Sequence, residues 1–265
     1  MEHIARFFFG VSGNVIALFL FLSPVVTFWR IIRKRSTEDF SGVPYNMTLL
    51  NCLLSAWYGL PFVSPNNILV TTINGTGSVI EAIYVVIFLI FAERRSRLRM
   101  LGLLGLVTSI FATVALVSML ALHGNARKVF CGLAATVFSI CMYASPLSIM
   151  RLVIKTKSVE FMPFLLSLSV FLCGTSWFIY GLLGRDPFVA IPNGCGSFLG
   201  LMQLILYAIY RNHKGAPAPA GKAAAAVEEE EVEDAKKAAG AVELADAKTS
   251  KVADKSADDK VASQV

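Results

Sequence analysis

The sequence predicts an all-α membrane protein. Seven transmembrane helices form two parallel three-helix repeats joined by an inverting linker helix, a 3+1+3 plan. Three observations predict it. The chain is too apolar for a soluble domain of its length. Its basic residues fall in alternate loops. Its first and last thirds repeat one another.

Of 265 residues, 55% are hydrophobic, and the mean hydropathy is +0.64. The charge divides the chain in two. Up to Lys214 there are 17 Lys/Arg against 7 Asp/Glu, a net of +10; from Gly215 there are 7 Lys against 11 Asp/Glu, a net of −4. Residues 213–265 form an Ala/Lys/Glu/Asp tail without an aromatic residue. Such a segment buries too little apolar area to offset its ordering entropy, so a disordered tail is expected.

A bilayer crossing needs about 20 mostly apolar residues. Seven stretches qualify: 7–29, 44–63, 68–91, 101–122, 129–150, 163–183 and 188–210. The first lacks the basic leader and small-residue cleavage site of a signal peptide, so it reads as a mature span. The loops after spans 1, 3, 5 and 7 hold 13 basic residues, among them Arg33, Arg95, Arg151 and Arg211. The other side holds four: Arg6, Arg127, Lys128 and Arg185. Basic loops stay cytosolic. The N-terminus is therefore expected outside or in a lumen, with the tail in the cytosol.

The repeat defines the domains: 7–92 (spans 1–3), a linker region 93–123 (span 4) and 124–212 (spans 5–7). "INGTGSVIEAIY" (73–84) matches "PNGCGSFLGLMQ" (192–203) at an offset of 119. "SPVVTFWRIIRKRSTE" (23–38) matches "SPLSIMRLVIKTKSVE" (145–160) at 122, as does "AWYGL" (56–60) with "FIYGL" (178–182). A three-residue insertion, such as "DFSGVP" against "FMP", accounts for the difference. Three spans are odd, so a direct repeat would invert in the membrane. Span 4 restores parallel orientation and sets a pseudo-two-fold axis along the membrane normal.

That axis is expected to bring Asn74 and Asn193 to one central site, the alternative being amides that only hydrogen-bond across helices. An unpaired amide in hydrocarbon costs several kcal/mol, so such groups belong where they line a cavity. Each amide offers two donors and an acceptor. The flanking Gly75/Gly77 and Gly194/Gly196 allow close packing or local loosening. Ser55 pairs with Trp177 and Ser23 with Ser145. Amides, hydroxyls and an indole face suit a neutral polyol, whose C–H faces stack on aromatic rings. Pro24 and Pro146 lie inside spans 1 and 5, and Pro44 and Pro163 open spans 2 and 6. Four prolines toward the cytosolic side can serve as gate hinges, although Pro44 and Pro163 also fit ordinary helix starts. On the outer side, Tyr58 and Asp186 are candidates for a closing contact.

Glu81 is the one acidic residue deep in a span. An intramembrane carboxylate is a suspect for proton transfer. Its repeat mate is Gly200, and no second ionisable group completes a relay, which favours a structural role. The five Cys and three His show no metal-ligand spacing. No Ser/His/Asp, metal or nucleotide motif appears, so neither an enzyme nor a cofactor is expected, and the basic loops are topology signals rather than a nucleic-acid site.

The motifs "ALFLFLSPVVTF", "EDFSGVPYNMTLLNCLLSAWYGLPFV", "TTINGTGSVIEAIY", "MYASPLSIMRLVIKTKSVEFMPF", "FLCGTSWFIYGL" and "DPFVAIPNGCG" closely resemble the plant SWEET sugar transporters over residues 7–212. That family is itself a known case of parallel repeats about an axis along the membrane normal. The resemblance implies passive, bidirectional sugar transport by alternating access in the plasma membrane. It implies sugar binding by Asn74 and Asn193, with Ser55 and Trp177 beside them. It assigns Pro24, Pro44, Pro146 and Pro163 to an inner gate and Tyr58 and Asp186 to an outer one. Homo-oligomers, often trimers, are also implied. Bulky Trp177 opposite Ser55 resembles the hexose-preferring members, so glucose is the expected substrate. The alternatives are a proton-coupled symporter using Glu81 and a seven-span receptor, against which the internal repeat speaks.

Overall fold

The structure is a computed structural model that describes residues 1–212 and Gly240. The tail expected to be disordered lies outside the described residues.

Among the described residues, nine α-helices between Glu2 and Tyr210 make seven rods. The first rod is α1 (Glu2–Leu22) and α2 (Val25–Lys34), broken at Ser23-Pro24. Then follow α3 (Val43–Tyr58), α4 (Ile68–Phe91) and α5 (Arg94–Leu120). The fifth rod is α6 (Gly124–Cys141) and α7 (Ala144–Thr156), broken just before Pro146. Last come α8 (Phe164–Leu183) and α9 (Pro187–Tyr210). Six of the rods are long and apolar enough to cross a membrane. The seventh, α3, has 16 residues and stops at Tyr58, five short of the expected span end. Pro61 explains the stop, because the residue before a proline avoids helical backbone. Buried Val63 and Ser64 continue its path as a turn.

The third helix of each repeat sits in the middle: α4 packs on both α3 and α1, and α9 on both α8 and α6. The halves join through mated pairs. α1 packs on α8, and α6 packs on α3. That reciprocity is what a two-fold axis requires. The backbone repeats down to single residues. Arg35 and Lys157, 122 apart, end α2 and α7 in the left-handed region (φ 51° and 54°), and Asn66 and Arg185, 119 apart, take it before α4 and α9 (φ 68° and 50°). The change of offset from 122 to 119 that follows the Tyr-Gly-Leu match therefore lies between Tyr58 and Asn66, in the loop that ends α3. The 39–44 loop expected to contain it comes before the "AWYGL" match.

Composition explains the packing. The inner face of α1 is Gly10, Gly13 and Ala17, while Phe7, Phe8, Val15 and Phe19 point outward. Small residues let helices approach closely where no hydrophobic force drives them together. The linker α5 buries Met100, Leu103, Val107, Ile110, Val114 and Ser118, a stripe with helical spacing. It lies mainly on α3, anchored by Trp57 Nε1 donating to Ser118 Oγ (2.9 Å). In the α2–α3 loop, hydrogen bonds from Arg30 (2.6 Å) and Lys34 (2.5 Å) hold the Glu38 carboxyl below its usual range.

Candidate functional site

A cavity of about 180 Å³ lies between the halves. Asn74, Asn193, Ser55 and Trp177, the central residues singled out in the sequence, all line it. So do their neighbours Val70, Ile73, Val189 and Pro192 on α4 and α9. The two amides are held alike. Asn74 Nδ2 donates to Val70 O (2.9 Å), and Asn193 Nδ2 donates to Val189 O (2.8 Å). Each bond spans one helical turn and fixes the amide's direction. It leaves a carbonyl oxygen and a second N–H on each side for a ligand.

Tyr58 lines it too, and Asn51 and Ser139, which were not foreseen, add to the polar lining. Ser139 Oγ donates to Asn51 Oδ1 (2.7 Å), bridging α6 to α3. The signal was present: Asn51 lies one turn before Ser55, and Ser139 is the repeat mate of Ala17, which also lines the cavity.

Ser23 and Ser145 are not brought into the lining. Pro24 has no N–H to give Leu20 O, and Ser23 Oγ takes that carbonyl instead (2.8 Å), turning the exposed side chain back on its own helix. The four prolines also lie outside the lining. Pro24 caps α2, Pro44 is in the first turn of α3, Pro146 is in the first turn of α7, and Pro163 caps α8. α2 packs on α4 and α7 on α9, each within its own half. The glycines next to the amides differ from one another. A Cβ at Gly77 would meet Phe21 (2.5 Å) and Cys52 (2.9 Å), whereas Gly75 faces open space.

A further proline, Pro192, interrupts α9 one residue before Asn193. It leaves Phe188 O without its helical donor, and Thr136 Oγ1 of α6 donates to that carbonyl (3.3 Å). Tyr143, which caps α7 at the break in the same rod, donates to Pro192 O. The α9 segment that faces the cavity is thus pinned at both ends to the fifth rod. Thr136→Val strands the Phe188 carbonyl, which costs about 1–3 kcal/mol. The expected result is a thermal midpoint about 2–8 °C lower in detergent, with Thr136→Ser close to the parent. Equal midpoints for Val and Ser would sink the idea.

Above the cavity, the Tyr58 end of the bundle is closed by a buried polar network. Tyr58 OH lies 2.8 and 2.7 Å from the two Asp186 oxygens and donates to one at a time. Asn67 Nδ2 donates to Asp186 Oδ2 (2.6 Å) and to Ser64 Oγ (2.7 Å). Phe188 N–H donates to Asp186 Oδ1 (3.1 Å), capping α9. Asn67 and Asp186 are themselves mates, 119 apart, each preceding the third helix of its repeat. Tyr180, the mate of Tyr58, lies across from Asn67 (OH to Oδ1, 3.4 Å). Each tyrosine thus reaches the other half's capping residue. Arg6 completes the set: Nη2 donates to Asn67 Oδ1 (2.8 Å), and the guanidinium lies 4.4 Å from the Tyr180 ring centre. Asp186, Asn67 and Ser64 are all 3% exposed or less, so these bonds are shielded from competing water.

Glu81 is buried on α4 but is not part of the lining. It lies one turn beyond Gly77, within electrostatic reach of Cys52 and Tyr45 of α3.

Comparison with known proteins agrees with this plan. A family model described as a sugar efflux transporter for intercellular exchange matches twice, over residues 7–96 and 129–215. The bidirectional sugar transporter SWEET1a of Sorghum bicolor is 86% identical over 250 residues, 94% of this chain and 93% of that protein. The chain belongs to the SWEET family. A SWEET1a of Oryza sativa subsp. japonica is 88% identical over 240 residues (90% of this chain, 87% of that one). SWEET1 of Arabidopsis thaliana is 70% identical over 213 residues (80% and 86%). A eukaryotic SWEET transporter solved at 3.7 Å superposes with a TM-score of 0.78 at 48% identity, covering 80% of this chain and 99% of that one. The two stretches matched by the family model in this SWEET chain lie on either side of most of α5.

Proposed function

We propose that the protein is a bidirectional uniporter that moves a monosaccharide, glucose foremost, down its gradient by alternating access. The observation that carries this reading is the pair of repeat-mated amides, Asn74 and Asn193, facing one cavity with their remaining hydrogen-bonding groups free. Ser55 and Trp177 complete the sugar site, the indole giving a flat apolar face for a pyranose ring. The names of the relatives, bidirectional sugar transporters, support the substrate class. Trp177 against Ser55 favours a hexose over a disaccharide on size.

In this reading the Tyr58–Asp186–Asn67 network is the outer gate, here shut, and the halves rock apart at that end to admit sugar. Pro24, Pro44, Pro146 and Pro163 form the inner gate, where helix breaks let α2 and α7 swing. The N-terminus is extracellular, the tail cytosolic and the membrane the plasma membrane, following the basic loops and the family. A homo-oligomer, a trimer by family resemblance, is the assembly proposed.

The test is labelled glucose and sucrose entry into proteoliposomes, with and without a pH gradient. Gradient-independent glucose entry is expected. Asn193→Ala removes hydrogen bonds to a polar ligand, so entry should fall about 100-fold or more. Entry that needs the gradient would transfer the reading to Glu81 and symport. Sucrose entering as fast as glucose would overturn the size argument.

A further inference from the structure

Trp177 is only 6% exposed, yet its indole forms part of the cavity wall. What lies behind it decides where that wall stands. The indole rests on α1 at Gly13. A Cβ built there would lie 2.7 Å from Nε1, 2.9 Å from Cε2 and 3.1 Å from Cδ1, where ordinary contact begins at 3.4 Å. The nearest atom would have to retreat by 0.7 Å (3.4 − 2.7). Sideways retreat is blocked. The Tyr180 ring packs edge-on against the indole at 5.1 Å. Tyr180 itself is seated on Gly10, where a Cβ would lie 2.9 Å from its ring, and is flanked by Arg6 and Asn66. Retreat into the cavity remains.

The other half offers the converse. The repeat mate of Gly13 is Ala135, and the mate of Trp177 is Ser55; both line the cavity. One side pairs a large α8 residue with a glycine on α1. The opposite side pairs a small α3 residue with an α6 residue that keeps its Cβ. The width of the cavity at this level is therefore a joint property of four positions, not of Trp177 and Ser55 alone.

We infer that Gly13 is a positioning residue that sets substrate size: by giving the Trp177 indole a seat without a Cβ, it fixes how far the ring projects into the cavity and so how large a sugar fits. The inference rests on the sugar site proposed above and assigns its specificity to a residue that touches no sugar.

The experiment compares glucose with xylose, a pentose of the same ring form that lacks the hydroxymethyl group. Both fluxes are measured in proteoliposomes for the parent, Gly13→Ala and Gly13→Ala/Trp177→Phe. Pushing the indole inward penalises the larger sugar, and a misfit of about one methylene discriminates at least tenfold. Gly13→Ala is therefore expected to raise the xylose-to-glucose flux ratio about tenfold. The smaller ring of the double variant should bring the ratio back toward the parent's. General damage to the fold lowers both fluxes together, so an unchanged ratio in Gly13→Ala overturns the inference and leaves the sugar site standing. A raised ratio that Trp177→Phe does not reverse also overturns it, because the effect then bypasses the indole. A parent that carries neither sugar overturns the transporter reading and this inference with it.

Discussion

Asp186→Ala is expected to lower glucose flux at least tenfold and to leave the Tyr58 end of the bundle open. The carboxylate accepts from Tyr58, Asn67 and the Phe188 backbone while 3% exposed. Its removal strands three donors, each at a cost of roughly 1–3 kcal/mol. The Phe188 bond is the α9 cap and lies within one half, whereas those from Tyr58 and Asn67 cross between the halves. Even the low end for the two crossing bonds, about 2 kcal/mol, shifts an equilibrium about 30-fold. Because these two bonds join the two halves, that shift falls on the shut form. The proposed alternating-access cycle needs both forms, so it stalls with the proposed outer gate open. Labelling of a cysteine introduced near Tyr58 by an impermeant reagent should quicken in parallel. Asp186→Asn keeps an acceptor for Tyr58 but turns an N–H₂ or a single oxygen toward Asn67, so it should fall between. Full flux in Asp186→Ala would remove the network from the mechanism.

The second large effect is Gly181→Ala. A Cβ at Gly181 would sit 2.6 Å from Ala190 N and 2.8 Å from Ala190 Cα. These are backbone atoms of α9 and have no rotamer to escape by. α8 and α9 would have to move apart along the seam that also holds Gly174 and Gly200, where a Cβ likewise meets backbone at 2.8 Å. Overpacking of this kind costs about 1–3 kcal/mol, and more where backbone must shift. A thermal midpoint about 5–10 °C lower is expected. Gly75→Ala is the control. Nothing lies within 4 Å of its Cβ position, so only the helix preference of alanine acts, a gain of about 0.5–1 kcal/mol. A midpoint for Gly181→Ala at or above that of Gly75→Ala would contradict the tight seam.

What was legible in the sequence is what a repeat can carry. The Asn-Gly-x-Gly-Ser pair put Asn74 and Asn193 at one depth, and both line the cavity. Pro24 and Pro146 marked where the first and fifth rods break. Alignment says nothing, however, about which way a side chain turns. Ser23 pairs with Ser145 in sequence, yet a proline-freed carbonyl holds Ser23 back against Leu20. Asn67 escaped notice for a different reason. It is the mate of Asp186, but the loop before it is three residues longer, which broke the register just where the match mattered. Arg6 was counted only as a loop charge, because its contact with Asn67 spans 61 residues and no local pattern encodes it. Thr136 has a mate of another type, Asn14, so the repeat gave no sign that its hydroxyl serves α9.

Among the described residues, those that line the central cavity include no Asp, Glu, Lys or Arg. Glu81 is buried outside the lining, and Asp186 and Arg6 lie in the closing network. An uncharged cargo held by amides and an indole carries no charge through the electric field. Moving one elementary charge across a bilayer is worth about 2.3 kcal/mol per 100 mV. The proposed cycle is exempt from that term. It is electrically silent: sugar added to a voltage-clamped membrane should evoke no current, and resting potential should neither load nor empty the compartment. Accumulation is then set by sugar concentration and by whatever consumes the sugar on the far side.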